Sequence, residues 1–509
     1  MARERDALYS ECSLMDALTR GAKLADGRAA RGVRHPLTTI LMLLLIGFLL
    51  GMTSYREMHR FFSPADPVAS EQILTQLRTF LNLPHEIPSV SCLSRTLTVM
   101  NVHPIITCCA DFLYQLVPHK ADMPQHICAD GKALRAAENK ALTGKNLYVI
   151  NIFLSSYRLF MNQIKVGPKA QEGKVLEEEI YDVLFQDPSV VTADAMAAKK
   201  GIVEIIRNAG SDAILPIKAN NRNLMKCLLE FVVSHAASQK DAVDYSVDLN
   251  GCSEDEVPSG IVSNTRCAVF DEDNRNEPGS KGKHPIESHV FLDNLYRYPN
   301  AAECPSPVLN SGKKNKLYYV LVNDRWVPMA HDHGRYERRE YEIITSPDLM
   351  RELFVSPFTK GWEQVNAVGM VTRYRGVPAR DSITKEQYIN VSVTRTPYIL
   401  TTPETVKEFS QHVRQHWAIE EAHNTLDEVF KEDRCTIRAG NAPENCSFFR
   451  KVAYNLISLL NSSSDDKEES SNADNDSGGF RETMERIKRG GIQKLKKILT
   501  RRFRSPFLE

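Results

Sequence analysis

The sequence predicts a mixed α/β protein. A small helical region precedes a sheet core, and a long strand-rich insertion separates the strands of that core from its last helices. Three observations predict this. Residues 30–120 carry apolar side chains at helical spacing, interrupted at Pro64, Pro67 and Pro84. From His126 onward the pattern changes to short β-branched runs that alternate with helical stretches. Residues 220–403 are rich in strand and turn signals, and helical spacing returns only after Pro403.

The totals bound the class. With 509 residues, 42% of them apolar and 25% charged, the chain has material for roughly two to four globular domains. Lys plus Arg and Asp plus Glu each come to 64. A nucleic-acid role must therefore rest on local basic patches and not on the total. The eleven cysteines include adjacent Cys108 and Cys109 but no C-x-x-C pair, and the first residues are charged. Reduced thiols in a cytosolic or nuclear compartment are expected, without a zinc site.

Residues 1–29 read as an N-terminal extension and residues 30–120 as a small all-helical domain. Within the latter, Ile40 to Met52 is an apolar run of 13 residues. That is short of the roughly 18 to 20 needed to cross a bilayer, so a buried helix is expected and no membrane span.

Residues 121–219 form the first part of the core. His126 to Ala129 reads as a strand ending in Asp130, with Gly131 and Lys132 turning the chain away. Leu147 to Leu154 and Leu159 to Val166 read as a hairpin, and Val175 to Phe185 as a helix. Val190 to Ala193 reads as a strand ending in Asp194, followed by a helix from Ala197 to Ala209 and a strand from Ala213 to Ile217. Three strands, helix, strand, helix, strand is the order of an RNase H-like core, where strand-end residues face the crevice that takes ligands.

Residues 220–403 are read as a β-rich insertion, with strand candidates at Leu317 to Val322, Tyr341 to Ile344, Ala367 to Tyr374 and Tyr388 to Val393. Residues 404–461 supply the last helices of the core. Phe409, Val413, Trp417, Leu426 and Phe430 fall near one helical face, while Glu420, Asn424, Asp427 and Lys431 step along another. Glu420 is thus expected beside the sheet, facing the strand-end aspartates. Residues 462–485 read as a disordered acidic linker. Residues 486–509 read as a basic amphipathic tail: nine basic and no acidic residues lie between Arg486 and Arg504, with Ile492, Leu495, Leu499 and Phe503 on one stripe. Such a tail suits DNA, with an anionic membrane or a partner protein as alternatives.

A strand-terminal Asp is also the residue of helix caps and turns, so Asp130 and Asp194 by themselves leave a structural role open. The sequence contains no G-x-S-x-G, no H-E-x-x-H and no G-x-x-x-x-G-K-[ST], which removes the support for an esterase, a zinc protease or a P-loop ATPase.

Seven segments follow one another in order: Cys128-Ala-Asp-Gly-Lys-Ala-Leu-Arg135, Thr192-Ala-Asp-Ala-Met196, Ile217-Lys-Ala-Asn-Asn221, His333-Gly-Arg335, His416-Trp-Ala-Ile-Glu420, Phe430-Lys-Glu-Asp433 and Ile437-Arg-Ala-Gly-Asn-Ala-Pro-Glu-Asn445. Together they resemble the DDE transposases of the H-repeat-associated group, insertion-sequence enzymes whose RNase H-like core carries a β insertion. The helical stretch from His35 to Phe62, with Ile87-Pro88-Ser89, resembles the associated N-terminal domain of that group.

The resemblance implies a catalytic and metal-ligating set of Asp130, Asp194 and Glu420, with Glu421 the neighbouring candidate. It implies two Mg²⁺ ions, or Mn²⁺ in their place, and cleavage and joining of double-stranded DNA at element ends and target. It also implies a homodimer within a synaptic complex, and a cytoplasmic, nucleoid-associated protein if the host is bacterial. Lys132, Arg135, Lys218 and Arg335 stand in these motifs and are expected along the DNA path, joined in the tail by Lys494, Lys496, Lys497, Arg501 and Arg502. His331 and His333 read as loop residues. Three departures stand out: Lys218-Ala-Asn-Asn221 where the group has Lys-Gly-Asn-Gln, a helix one residue shorter between Glu420 and Asp427, and an insertion longer than in compact members, chiefly around residues 245–330. A catalytically inactive, domesticated DNA-binding descendant of a transposase is the alternative reading.

Overall fold

The computed structural model describes residues 13–117, 124–134, 147–166, 174–180, 188–238, 243–252, 260–271, 316–462 and 477–501, apart from positions 29, 30, 32, 82, 84, 85, 179, 250, 251, 324, 356 and 358. The chain forms two compact units, residues 1–190 with 415–509, and residues 191–414.

In the first unit the described helices before the sheet are α1 (Leu14–Ala25), α2 (Leu37–Leu49), α3 (Tyr55–Phe62), α4 (Pro67–Arg78), α5 (Val90–Val99) and α6 (His103–Leu116). α1 lies where only an extension was expected. The Ser13 hydroxyl takes the Asp16 N–H and the Asp16 carboxylate takes the Ser13 N–H, a reciprocal cap that starts the helix. A Cβ on Gly21 would stand 2.7 Å from the Ile105 Cα, so this glycine lets α1 and α6 pack backbone to backbone.

The apolar run is α2, buried at every position except Thr38. Burial of each large side chain contributes roughly 1.5–3 kcal/mol. No single helix among the described residues is long and apolar enough to cross a membrane. The bent pair α5 and α6 reaches that length only together, across an 85° break, and Leu93, Leu97, Ile105 and Phe112 are buried in the core. Pro67 starts a helix where a break was expected, because a first-turn proline needs no amide partner and Asp66 caps the Val68 N–H.

The sheet of this unit runs β1 (Gln125–Leu134), β2 (Leu147–Leu154) and β3 (Leu159–Val166), antiparallel throughout. β1 does not stop at Asp130. Gly131 and Lys132 continue the ladder opposite Ile150 and Val149, so Asp130 stands in mid-strand opposite Asn151 and the expected turn is corrected. The helix expected from Val175 to Phe185 falls largely outside the described residues. The chain passes into the second unit within β4 (Ser189–Ala193).

The second unit continues with α7 (Lys200–Asn208), β5 (Asp212–Pro216), α8 (Arg222–Ser238), β6 (Val243–Asp248), β7 (Gly260–Val262), β8 (Thr265–Asp271), β9 (Lys316–Val322), β10 (Arg325–Asp332), β11 (Arg335–Ile344), α9 (Pro347–Leu353), β12 (Ala367–Arg380), β13 (Gln387–Leu400) and α10 (Val406–Gln415). Its sheet is mixed, in the order β5, β13, β12, β11, β10, β9, β7, with β6 on β11 and β8 parallel to β13. The four expected insertion strands are all present. β6, β7, β8 and β10 were not anticipated, and the insertion opens on the 17-residue helix α8, not on a strand. His333 and Gly334 both have positive φ, the two-residue turn that joins β10 to β11, so the His-Gly-Arg motif is a hairpin tip.

The chain returns to the first unit with α11 (Trp417–Glu428), α12 (Ala442–Ser462) and α13 (Ser477–Leu499). α13 begins inside the stretch expected to be linker, and Phe480, Met484, Ile487, Ile492, Leu495, Ile498 and Leu499 are buried in the same core as α2 and α12. Residues 463–476 lie outside the described ones. The described cysteines are free thiols. The fold is the expected mixed α/β class, with a large mixed sheet and a helical N-terminal region.

Candidate active site

β1 presents Cys128, Asp130 and Lys132 to one side, as the two-residue period of a strand requires. The chain from Gln415 into α11 answers them in step. The Cys128 thiol lies 3.7 Å from the Gln415 carbonyl, the Asp130 carboxylate 3.3 Å from His423 Nδ1, and Lys132 Nζ 2.6 Å from the Asp427 carboxylate. Strand and helix therefore run in the same direction, with the His423 level matched to Asp130. Glu420 occupies the turn immediately before His423, in the first turn of α11, and is exposed. Three residues of rise, about 4.5 Å, separate the two levels.

His423 is gripped at both ring nitrogens. Asn151, the cross-strand partner of Asp130, donates from Nδ2 to His423 Nε2 at 2.8 Å. With that nitrogen accepting, the proton of the neutral ring is on Nδ1, which faces the Asp130 carboxylate at 3.3 Å. Burial holds His423 well below the usual histidine range, reinforced by the charges of Lys132 and Lys451, so the ring is neutral. Phe160 stacks on it at 6.1 Å between centroids and 14° between planes.

Beneath this pair lies a buried ionic network. Lys132, only 7% exposed, pairs with Asp427 and stands 3.6 Å from Glu432. Lys451 donates to Gln163 at 2.5 Å and to Ser447 at 2.6 Å. Burial pushes the Asp427 carboxyl up against the pull of Lys132. Burial also acts on Glu432, but Lys451, Lys132 and Arg450 outweigh it and hold that carboxyl below its usual range. Glu421 points elsewhere, pairing with Arg158 at 3.1 Å.

Asp194 belongs to the second unit. It follows β4 as the exposed residue that opens a single 3₁₀ turn, Ala195–Ala197. Two amides tie that turn down: Asn220 Nδ2 donates to the Ala195 carbonyl and Asn221 Nδ2 to the Ala198 carbonyl, each at 2.6 Å. The Lys-Ala-Asn-Asn motif is thus a clamp on the segment that carries Asp194.

The basic residues divide. Lys132 is a buried strut, a correction to its expected place on the DNA path. Arg335 sits at the hairpin tip and pairs with Glu337 at 2.9 Å. Lys218 is half-buried beside the Asn220 clamp. Lys494, Lys496 and Arg501 are half-buried and Lys497 is exposed, while Arg135 and Arg502 lie outside the described residues. His331 packs against Tyr336 at 4.5 Å between centroids within the β10–β11 hairpin, and His333 is exposed at its tip. Among the described residues no three His, Cys, Asp or Glu side chains are grouped closely enough to hold a metal ion. Asp130 and Glu420 nonetheless offer the oxygen-only donors that hard divalent cations take.

The transposase DDE domain family matches residues 122–456, well over half of the chain, and the family described as DDE_Tnp_1-associated matches residues 20–113. The chain belongs to the DDE transposase family. The Escherichia coli K12 protein YbfL is 23% identical over 85% of this chain and 88% of its own length. The "H repeat-associated putative transposase YhhI" of the same strain is 22% identical over the same shares. A shorter relative there, "H repeat-associated putative transposase YbfD", is 25% identical over 49% of this chain and 92% of its own. A piggyBac transposase in a synaptic complex with hairpin DNA aligns at a TM-score of 0.34 and 8% identity, over 96% of this chain and 80% of that one. The resemblance read from the seven motifs thus holds for this DDE transposase.

Proposed function

We propose that this DDE transposase cleaves and joins double-stranded DNA at the ends of its insertion sequence by metal-assisted phosphoryl transfer, with Asp130, Asp194 and Glu420 as the ligand set. The observation that carries the reading is the clamp on Asp130: a carboxylate fixed from behind by a neutral imidazole, with a second, exposed carboxylate one helical turn away. A ligating carboxylate is commonly oriented by such an outer donor. Asp194 joins the set by its place in the family motif, and the Asn220 and Asn221 amides fix the segment that presents it.

Divalent cations held by these carboxylates would neutralise charge on the attacking and leaving oxygens. The protein's own work is to hold the donors still. Because His423 carries its proton on Nδ1 and is too deeply buried to take a second, it fixes one Asp130 oxygen without competing as a cation. Lys132, bonded to Asp427 and to the His423 carbonyl, ties α11 to β1 and so sets the level of Glu420. Glu421, held by Arg158, is removed as a rival ligand.

The test is incubation of the purified chain with Mg²⁺ and DNA spanning the junctions that flank its own gene. Nicked or excised ends support the reading. DNA binding without strand breakage under any divalent metal supports instead the inactive, DNA-binding descendant.

A further inference from the structure

We infer that the two arms of α13, together with the end of α12, form a phosphate-gripping groove that holds a DNA backbone. The inference rests on the DNA-handling role of the family and not on the assignment of the three carboxylates. Between α12 and α13 lies a cavity of about 470 Å³. Arg486, Lys494, Lys497 and Arg501 line it, with the amides of Asn461 and Gln493, and among the described residues no acidic side chain does.

The sequence spacing explains the convergence. Positions 494, 497 and 501 step by three or four and so share one face of the second arm and the turn that follows it. Gly490, in the middle, opens the groove: a Cβ there would meet the Lys494 side chain at 2.6 Å. Gly491, at φ +58°, kinks the helix, so Arg486 comes from one arm and the other three cations from the next. Arg486 donates from Nη2 to Thr483 Oγ1 at 2.9 Å, and that hydroxyl donates on to Asn461 at 2.7 Å. Its Nε is buried with no hydrogen-bond partner among the described residues. An Arg held in place, with a buried donor left over and three further cations alongside, is chemistry for a phosphate oxygen.

Packing decides between DNA and a lipid surface. The apolar stripe of α13 that membrane binding needs is already buried, with Ile492, Leu495 and Leu499 at 5%, 0% and 1% exposure. Among the described residues of α13 from Arg486 on, the outer face is cationic, and charge without an apolar face suits a nucleic-acid backbone. The same packing makes deletion of the helix a poor test, because truncation removes part of the core.

The experiment therefore keeps the full chain and neutralises the groove with Arg486→Gln, Lys494→Gln, Lys497→Gln and Arg501→Gln together. A control carries Arg481→Gln, Lys488→Gln and Arg489→Gln, positions on α13 outside the groove. Binding to a 40-bp duplex of arbitrary sequence is titrated at several salt concentrations without divalent metal. Four lost phosphate contacts lower the log–log salt slope by about 3.6. We expect that fall in the groove variant, and a fall below about 1 in the control. If the fourfold variant does not fold, the exposed Lys497→Glu alone is expected to lower the slope by about 1. An unchanged slope, or equal falls in groove and control variants, overturns the inference. So does loss of binding to phosphatidylserine vesicles with duplex binding intact. Because the titration contains no divalent metal, its outcome does not depend on the three carboxylates, so a failure of the catalytic reading and a failure of the groove are told apart.

Discussion

Replacing Lys132 by Met tests whether this motif lysine touches DNA or holds the protein together. Its ammonium is 2.6 Å from Asp427 and 3.6 Å from Glu432, and it also donates to the His423 carbonyl at 3.3 Å. Met fills much of the same volume, so the loss is almost wholly of charge. Two carboxylates then remain in a buried site, with Glu432 only 4% exposed. Removing one partner of a buried ion pair costs about 3–5 kcal/mol. The unit concerned holds 285 residues, 1–190 and 415–509. At that size each kcal/mol moves the melting temperature by about 2 °C, so a fall of about 6–10 °C is expected. The assay pairs thermal unfolding by circular dichroism with a salt titration of duplex binding at a temperature where both proteins are folded. An unchanged melting temperature together with a weaker salt dependence of DNA binding would refute the internal-strut assignment and restore the lysine to the DNA path.

Three further outcomes follow from the packing. Gly440→Ala places a Cβ 2.5 Å from the Thr98 carbonyl at a residue with φ +52°, and it strains the turn whose next amide, Asn441 N–H, bonds that same carbonyl at 3.0 Å. A loss of about 2 kcal/mol or more is expected, read as a drop in melting temperature, and an unaltered melt contradicts the close approach. Lys451 is driven down to about 8 by burial, so between about pH 8 and the ordinary lysine range the unfolded chain binds a proton that the folded chain does not. Stability rises with pH wherever the unfolded state holds more protons; relative to Lys451→Met, the wild type should gain up to about 1.4 kcal/mol per pH unit there, and parallel stability curves refute it. His423→Leu removes the donor to Asp130 while keeping the site apolar and filled. Mn²⁺ affinity measured by electron paramagnetic resonance is expected to fall about 10–100-fold, and equal affinity in the two proteins shows that the clamp does not orient the ligand.

Much of this architecture was legible in the residues. The apolar run in α2, the hairpin of β2 and β3, and the short apolar strand before Asp194 all stand out in the sequence. Legibility failed where long-range pairing overrode a local signal. Gly131 looks like a turn, yet β2 supplies a full ladder opposite it and the strand runs on to Leu134. His423 was missed because Asn424, Asp427 and Glu420 also step at helical spacing, and only the packed helix shows that Asn424 is exposed while His423 meets the sheet. The signal was present, since His423 stands three residues after Glu420, but no sequence pattern states that Asn151 will be the cross-strand neighbour of Asp130. Lys132 was misplaced for the same reason: Asp427 and Glu432 lie about 300 residues away in the chain and are joined to it only by the fold. In α13 the amphipathic pattern was read correctly, but its apolar face meets the protein's own core and not a lipid.

Asp130, Asp194 and Glu420 are proposed to act as one ligand set. The most direct measurement is anomalous diffraction from crystals of the protein–DNA complex grown with Mn²⁺. The account predicts two metal peaks roughly 3.5–4 Å apart, with carboxylate oxygens of all three residues in coordinating contact. Metal peaks that Asp194 or Glu420 does not ligate, or manganese bound by Glu421 in place of Glu420, would contradict it.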